Sequence, residues 1–325
     1  MKKIFITGGA GYVGAELSKH LLEKGYEITV FDLFIYGQTL DAHKNLKLIK
    51  GDIRNQELLK KYLKGQDAVI HLACISNDPS FELNPALGKE INLHAFEPLV
   101  KISKEIDVKR FIYASSSSVY GIKSEKNVSE EMLLEPLTDY SKYKAECEKI
   151  LFKYKSDDFI TSIIRPATVC GYSSRQRLDL VVNILANFAY HKREISVFGG
   201  DQLRPNIHIK DMIRSYSFLL EQDKKKINGE IFNVGYENKT INQLADEVIS
   251  VIGDDVKIIK VPSNDNRSYH ISSSKIHQLL GFKNNFTIID AIKDLKFAFE
   301  NKKIVNSFED INFFNIKKMQ SIKLK

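Results

Sequence analysis

The sequence predicts an α/β fold built on a doubly wound parallel sheet and followed by a smaller α/β unit. Two observations predict it. In the first 165 residues, short and continuously apolar runs alternate with amphipathic helical patterns, which is typical of parallel strands covered by helices on both faces. In the second half this alternation loosens, and the clearest signals are helices with capping residues.

The elements follow from these patterns in chain order. Six strands are predicted, at Lys3–Thr7, Glu27–Asp32, Leu46–Lys50, Ala68–Leu72, Phe111–Ala114 and Ile160–Ile164. Helices are predicted between them at Tyr12–Lys24, Leu58–Leu63, Pro85–Ile106 and Asp139–Tyr154. Further on, Thr240 and Thr287 are predicted to cap helices over Ile241–Ile252 and Ile288–Phe299, and Glu230–Val234 is predicted to return to the main sheet. We expect one domain over 1–170 with parts of 205–236, a second over 171–300, and a basic tail over 301–325 to which the pattern assigns no function.

Composition excludes several classes of protein. The chain has 325 residues, of which 43% are hydrophobic and 27% charged, which is ordinary for a globular protein. We expect no membrane-spanning helix, because no apolar run reaches about 18 residues, and a cytoplasmic location, because the first residues lack the apolar core of a signal peptide. Three distant cysteines and eight histidines without ligand spacing predict neither a disulfide scaffold nor a metal site. The net charge of +7 comes mostly from dispersed lysines, which favours solubility over nucleic-acid binding.

A glycine-rich turn joins the first strand to the first helix. Gly8 permits the tight turn, Gly11 lets a diphosphate approach the backbone, and Gly14 lets the helix pack close to the sheet. The helix then begins at Tyr12 and Val13, where free backbone N–H groups and the helix dipole attract phosphate. The turn therefore predicts a dinucleotide site.

Acidic and small residues at the ends of the next strands extend this site. Asp32 ends the second strand, 18 residues after Gly14, where a carboxylate accepts hydrogen bonds from the adenosine ribose and repels a 2′-phosphate. No arginine stands beside Asp32 in the sequence, so the pattern predicts NAD rather than NADP. Cofactor contacts are also predicted after the third and fourth strands, at Asp52, Ile53, Leu72 and Ala73.

Two further segments carry groups that can move protons. A predicted strand runs into the serines at 115–118, and Tyr140 and Lys144 stand four residues apart, on one face of a helix. An ammonium group near a phenol is expected to lower the phenol pKa, so that tyrosine acts as a base near neutral pH. A serine hydroxyl would bind the same substrate oxygen.

Together these motifs resemble the extended short-chain dehydrogenase/reductases, specifically the NAD-dependent nucleotide-sugar epimerase/dehydratase family. The resemblance covers about residues 1–300 and also includes Asn92, Val119-Tyr120-Gly121 and the segments 165–171 and 204–211. It implies a Rossmann-type fold, NAD as cofactor, a nucleotide-diphosphate sugar as substrate, and a homodimer paired through the helix of Tyr140 and the long helix before it.

The resemblance also assigns roles to individual residues. It implies that Ser116 is catalytic, that Tyr140 is the base, and that Lys144 activates it and binds the cofactor ribose. Asn92 would lie near the cofactor amide or a proton-relay water. Substrate contacts are implied for the serine turn, for two residues near the sugar or base, and for two arginines on the diphosphate: Ser116, Ser117, Asp179, Asn183, Arg204 and Arg267.

Departures from the family pattern reduce the number of reactions that the resemblance allows. Sugar 4,6-dehydratases of the family carry Asp-Glu directly after the catalytic residue, whereas this chain has Ser117 and Ser118 there and no acid to protonate a leaving hydroxide. The resemblance therefore predicts an epimerase that acts through a transient 4-keto sugar. A C4 dehydrogenase or reductase with net NAD(H) turnover is the alternative, and a non-catalytic NAD-binding scaffold is the third reading.

Overall fold

A seven-stranded parallel sheet forms the centre of the fold. The computed structural model describes residues 1–125, 127–263, 268, 270–322 and 324. The strands of the central sheet are β1 (Lys3–Thr7), β2 (Glu27–Asp32), β3 (Leu46–Lys50), β4 (Ala68–His71), β5 (Arg110–Ala114), β6 (Ile160–Pro166) and β10 (Glu230–Val234). Their order is β10-β6-β5-β4-β1-β2-β3, so the chain reverses its direction of winding at β1. In such sheets ligands bind at this reversal, beyond the carboxyl ends of the strands.

Two small sheets belong to the second half of the chain. The first joins β7 (Thr168–Cys170), β9 (Leu203–His208) and β11 (Glu237–Thr240), and the second joins β8 (Glu194–Phe198) and β12 (Lys257–Val261). The predicted doubly wound sheet with a smaller α/β unit is therefore confirmed. The predicted return of Glu230–Val234 is also confirmed, because β10 pairs with β6 in parallel register.

Thirteen α-helices surround these sheets in the described part of the chain. They are α1 (Tyr12–Glu23), α2 (Gln56–Leu63), α3 (Asp78–Glu82), α4 (Pro85–Lys89), α5 (Phe96–Glu105), α6 (Asp139–Tyr154), α7 (Val181–Lys192), α8 (Ile209–Glu221), α9 (Lys224–Ile227), α10 (Ile241–Ile252), α11 (Ser274–Leu280), α12 (Ile288–Glu300) and α13 (Asn315–Ser321). No helix of the described residues has the length and apolar character needed to span a membrane. Both predicted threonine caps are present as capping boxes, at the start of α10 and of α12.

The prediction that Pro85–Ile106 is mostly helix is confirmed, and the structure shows one interruption within it. A π-helical turn at Glu90–His94 separates α4 from α5. Within it, the Asn92 side chain turns toward the loop after β4, where its Oδ1 accepts from the Ile75 N–H at 2.8 Å and its Nδ2 donates to the Ile75 carbonyl at 2.9 Å. The interruption thus fixes this loop to the helix.

Apolar side chains form a core on each face of the central sheet. Successive residues of β1 alternate between the two, with Ile4 and Ile6 in one cluster and Phe5 in the other. A third cluster lies in the smaller unit and joins α7, α10 and α12. Burying both faces of the sheet explains the continuously apolar strands, because parallel sheets are covered by helices on both sides.

Candidate active site

A cleft of about 400 Å³ opens at the carboxyl ends of the central strands. Its lining comes from the glycine turn, from the loops after β2, β4 and β5, from the start of α6, and from the second half of the chain. The predicted residues that line it are Gly8, Gly11, Tyr12, Val13, Gly14, Asp32, Asp52, Ile53, Leu72, Ala73, Ser116, Ser117, Tyr140 and Lys144. The fold therefore brings the two predicted groups of residues into one site.

The geometry of the glycine turn fits a diphosphate. Gly8 has a φ of +71°, which favours glycine, and its carbonyl accepts a hydrogen bond from the Gly11 N–H at 3.1 Å. A Cβ on Gly14 would stand 2.2 Å from the Gly8 oxygen, so this position excludes any side chain. A Cβ on Gly11 would meet only that oxygen, at 3.2 Å, so a ligand can approach this face. Within the described chain no side chain caps the start of α1, so the N–H groups of its first turn can receive a phosphate.

Asp32, the predicted ribose ligand, lines the cleft at the end of β2. Its Oδ2 accepts from the Ala10 N–H at 3.0 Å and its Oδ1 from the Phe34 N–H at 2.8 Å. Burial raises the pKa of Asp32, while these backbone hydrogen bonds and the nearby Arg175 oppose the shift. The glycine turn, free amides and acidic strand end form the donor and acceptor set that NAD requires.

Ser116, Tyr140 and Lys144 lie together beside this turn. The Lys144 ammonium donates to the Ala114 carbonyl at 2.7 Å, and its Nζ is 5.8 Å from the centre of the Tyr140 ring. Thr138 caps α6 through a bond from the Ser141 N–H at 3.3 Å, which fixes the helical turn that carries Tyr140. The site thus holds a phenol, an ammonium group and a hydroxyl on rigid elements.

The predicted lowering of the Tyr140 pKa is wrong for this structure. Burial raises the pKa of Tyr140 well above its ordinary value, and the nearby Cys74 and Asp78 raise it further. Arg177 and a hydrogen bond from Ser116 oppose these effects without overcoming them. The physical reason is that a phenolate loses its hydration in the cleft, and this penalty exceeds the attraction of the surrounding cations.

A chain of hydroxyl groups links Ser116 to a carboxylate that the sequence did not reveal. Ser116 Oγ lies 2.8 Å from Ser118 Oγ, Ser118 Oγ accepts from Ser141 at 2.8 Å, and Ser141 Oγ lies 3.0 Å from Thr138 Oγ1. Thr138 Oγ1 in turn donates to Asp78 Oδ1 at 2.6 Å. Asp78 lines the cleft, so an acid is present near the serines although positions 117 and 118 carry none.

A buried ion pair supports the site from behind. Arg165 bonds Glu148 through Nε–Oε1 at 3.0 Å and Nη2–Oε2 at 2.6 Å, and both side chains are almost fully buried. Glu148 also accepts from Ser115 Oγ at 2.5 Å, and Arg165 Nη1 donates to the Tyr120 hydroxyl at 2.7 Å. The pair therefore connects β6, α6 and the serine turn, because Ser115 directly precedes Ser116.

Other predicted residues have structural partners instead of facing the cleft. Asn183 is fully buried, with Oδ1 accepting from the Gly171 N–H at 2.9 Å and Nδ2 bonding Tyr12 Oη at 3.0 Å and the Arg177 carbonyl at 2.8 Å. Asn92 is buried against Ile75, as described above. Their predicted contacts with ligand stay predictions, and the structure gives both amides full sets of protein partners.

The remaining predicted substrate contacts that the structure describes, Asp179 and Arg204, do not line the cleft. Asp179 pairs with Arg177 through Oδ1 and Nε at 2.8 Å. Arg204 is on β9, donates to the Leu203 carbonyl at 2.9 Å, and is not one of the described residues that line the cleft. Arg267 lies outside the described residues. Substrate contact by these residues stays a prediction.

The C-terminal segment contributes to the cleft, which no sequence pattern indicated. Asn315, at the start of α13, is buried, and its Oδ1 accepts from Tyr36 Oη at 3.1 Å and Arg175 Nη2 at 2.6 Å. Its Nδ2 donates to Ser76 Oγ at 2.9 Å. The lining also includes Met319. The described part of the tail thus contributes to the site.

Comparison with known proteins agrees with this geometry. Residues 4–235 match the model of the NAD-dependent epimerase/dehydratase family. The chain is 25% identical over 311 residues to a UDP-glucose 4-epimerase of Lactobacillus helveticus, covering 89% of this chain and 94% of the relative. It is 28% identical over 302 residues to the dTDP-D-glucose 4,6-dehydratase of Homo sapiens, covering 86% and 84%. Its fold matches the dTDP-glucose 4,6-dehydratase DesIV of Streptomyces venezuelae, solved with NAD bound, with a TM-score of 0.82, 23% identity, and 93% and 98% coverage.

Proposed function

This chain belongs to the NAD-dependent epimerase/dehydratase family, and from that premise we propose that it is a nucleotide-sugar epimerase acting through a transient 4-keto sugar. The observation that carries the proposal is the meeting of Ser116, Tyr140 and Lys144 in the same cleft as the glycine turn. A scaffold without catalysis has no use for this trio beside a dinucleotide site. NAD is the cofactor of the family, and the donor set of the cleft fits it.

The residues of the cleft divide the chemistry among them. NAD, when bound, would supply reversible hydride transfer at the sugar C4. Tyr140 accepts the proton of the C4 hydroxyl and later gives it back, and Ser116 donates a hydrogen bond to the same oxygen. Because burial raises the pKa of Tyr140, the phenol depends on positive charge nearby. Arg177 opposes the shift, and the Lys144 ammonium stands 5.8 Å from the centre of the Tyr140 ring.

The serine turn favours epimerisation over dehydration. Loss of a hydroxide from the sugar needs an acid that can reach it, and Ser117 and Ser118 are too weakly acidic for this role. The one described carboxylate on this hydroxyl chain, Asp78, accepts a hydrogen bond from Thr138 at 2.6 Å, and the hydroxyls of Thr138, Ser141 and Ser118 separate it from Ser116. A C4 dehydrogenase or reductase with the same trio remains the second candidate, because the fate of the 4-keto sugar alone separates the two.

Product analysis tests the proposal. The protein is incubated with NAD and either UDP-glucose or dTDP-glucose, the sugar is followed by NMR, and NADH is followed by absorbance. The proposal expects conversion to the 4-epimer with no net NADH. Accumulation of NADH would replace it with the dehydrogenase, a 4-keto-6-deoxy product would replace it with a dehydratase, and absence of any reaction with a range of nucleotide sugars would support the scaffold.

A matched pair of tyrosine variants tests the assignment of the base. Tyr140→Phe removes only the hydroxyl, and we expect kcat to fall by about 10²–10⁴-fold while NAD still binds. Tyr143→Phe is the control, because Tyr143 lies on the same helix and packs its ring against Phe81 at 5.7 Å. Turnover by the Tyr140 variant at the rate of the Tyr143 variant would show that another group is the base.

Two further expectations stay predictions. A homodimer through α5 and α6 is expected, and sedimentation gives its mass directly. A cytoplasmic location is expected for an enzyme that uses NAD and nucleotide sugars, and fractionation of cells tests it.

A further inference from the structure

We propose that Arg175 and Arg177 form an anion-binding subsite that receives the phosphates of a nucleoside diphosphate from the side opposite the glycine turn. The inference deepens the proposed function and rests on the class of ligand named there. The diphosphate belongs either to the dinucleotide or to the sugar nucleotide, and the test below separates these sources. It begins from three buried guanidinium nitrogens of these arginines that have no hydrogen-bond partner among the described residues.

Arg175 is buried and only partly satisfied. It is 4% exposed, and the carbon of its guanidinium lies 3.5 Å from the centre of the Tyr36 ring. Its Nη2 donates to Asn315 Oδ1 at 2.6 Å. Its Nε and Nη1 are buried and make no hydrogen bond within the described residues. Stacking and one fixed bond thus hold the guanidinium in place with two donors left over.

Arg177 repeats this pattern two residues later. It is 8% exposed, and its Nε donates to Asp179 Oδ1 at 2.8 Å. Its Nη2 is buried and finds no acceptor in the part of the chain that the structure describes. The other oxygen of Asp179 accepts from the Asn315 N–H at 2.9 Å. Asp179 therefore shares its two oxygens between Arg177 and the backbone of α13.

The charge of this pair is only partly balanced by carboxylates. Among the described residues Asp179 is hydrogen-bonded to Arg177 but not to Arg175, and Asp32 lies close enough to Arg175 to interact with its charge. Burial lowers the pKa of Arg175 to about 10, with neighbouring Tyr36 and Asp179 opposing the shift and Arg177 adding to it. A buried charge without a counter-ion is strongly unfavourable, and unpaired buried donors add to that cost. A negatively charged ligand removes both penalties.

The position of the pair selects phosphate as the ligand. Both side chains line the cleft that also contains Gly11. The segment that carries them is fastened to the first turns of α1, because Tyr12 Oη donates to the Gly171 carbonyl at 2.7 Å and Ser173 Oγ donates to the Tyr12 carbonyl at 2.8 Å. The arginines are therefore held near the free amides of the glycine turn.

The chemistry of guanidinium fits that position. Planar N–H pairs match the oxygens of a phosphate, and two adjacent arginines match two linked phosphates. Arg175 lies close enough to Asp32 to oppose the rise of the Asp32 pKa. The Asp32 carboxylate makes a phosphate on the adenosine ribose unfavourable. The diphosphate is therefore the anion that fits this subsite. The two arginines, from the second half of the chain, would bind one side of it, and the N–H groups at the start of α1 would bind the other.

Calorimetry on the full chain tests the subsite without relying on turnover. NAD, UDP-glucose and inorganic pyrophosphate are titrated into the wild type and into Arg175→Gln and Arg177→Gln. Arg193→Gln is the control, because this arginine is exposed and its ion pair with Asp255 lies at the surface. Circular dichroism confirms folding, and Arg175→Lys and Arg177→Lys retain the charge if a glutamine variant misfolds.

We expect the dissociation constant of one diphosphate ligand to rise at least tenfold in both glutamine variants and to recover partly in the lysine variants. Weakened NAD binding assigns the cofactor diphosphate, and weakened UDP-glucose binding assigns that of the substrate. Unchanged affinity for NAD, UDP-glucose and pyrophosphate in folded variants would overturn the subsite. A chain that binds these ligands through the arginines but produces no epimer would instead overturn the proposed function alone.

Discussion

Removal of one charge from the Arg165–Glu148 pair should destabilise the protein more than any comparable change on α6. Glu148→Gln keeps the size of the side chain and one oxygen for Ser115, but it leaves the Arg165 guanidinium without a counter-ion. The two side chains are 3% and 4% exposed and share two hydrogen bonds. Burial lowers the pKa of Arg165, and the Glu148 carboxylate more than offsets this in the wild type. The guanidinium stays charged without that carboxylate, because arginine does not lose its proton at the pH of the experiment.

The magnitude follows from that burial. Loss of one partner from a buried ion pair costs about 3–5 kcal/mol, because the remaining charge is neither hydrated nor paired. On the same helix, Glu146 pairs with Lys149 at 3.5 Å, but these side chains are 45% and 70% exposed. For Glu146→Gln we expect a change of less than about 0.5 kcal/mol. The two glutamine variants thus differ in burial rather than in chemistry.

Urea unfolding followed by far-UV circular dichroism measures both changes, since the chain has no tryptophan to report by fluorescence. Replacement of both charges, Glu148→Met with Arg165→Met, should recover more than half of the loss, because no unpaired charge remains. If Glu148→Gln loses no more free energy of unfolding than Glu146→Gln, or if the double replacement is worse than either single one, the reasoning about the buried pair is refuted.

Two further changes test the cofactor turn and the pH response. Gly14→Ala places a Cβ 2.2 Å from the Gly8 carbonyl oxygen, so the turn must move. We expect NAD to bind at least about tenfold more weakly, as measured by fluorescence titration. Unchanged affinity would show that the close approach of Gly14 to Gly8 is not required. Burial and the charge of Lys144 lower the pKa of His71 to about 3 from an ordinary 6.5, so stability is fully present above pH 6.5 and falls as the pH drops toward 3. Between pH 7.5 and 5 we therefore expect the free energy of unfolding of the wild type to fall by about 2 kcal/mol more than that of His71→Asn. Urea unfolding at each pH measures both values, and a parallel dependence on pH in the two proteins would contradict the prediction.

Short-range patterns in the sequence were sufficient for most of the fold and for the centre of the site. The strands β1, β2 and β3 have the predicted bounds, because a continuous apolar run between turn residues allows few alternatives. The glycine turn and the pair Tyr140 and Lys144 were likewise predictable, since their function depends on spacing within one turn or one helix. The same local view could not show that Asn92 interrupts its helix, because its partner Ile75 is 17 residues away.

The sequence by itself determined the parallel sheet, the glycine turn and the identity of the groups that are proposed to move protons. Only the tertiary structure decided what surrounds them. Asn315 meets Tyr36 across 279 residues, and Arg175 joins the same cleft from the second half of the chain, although neither belongs to a periodic pattern. Burial also reversed the expected direction of the Tyr140 pKa. Spacing along a helix specifies which groups are neighbours, but solvation depends on every segment that packs over them, and that is fixed only when the whole chain has folded.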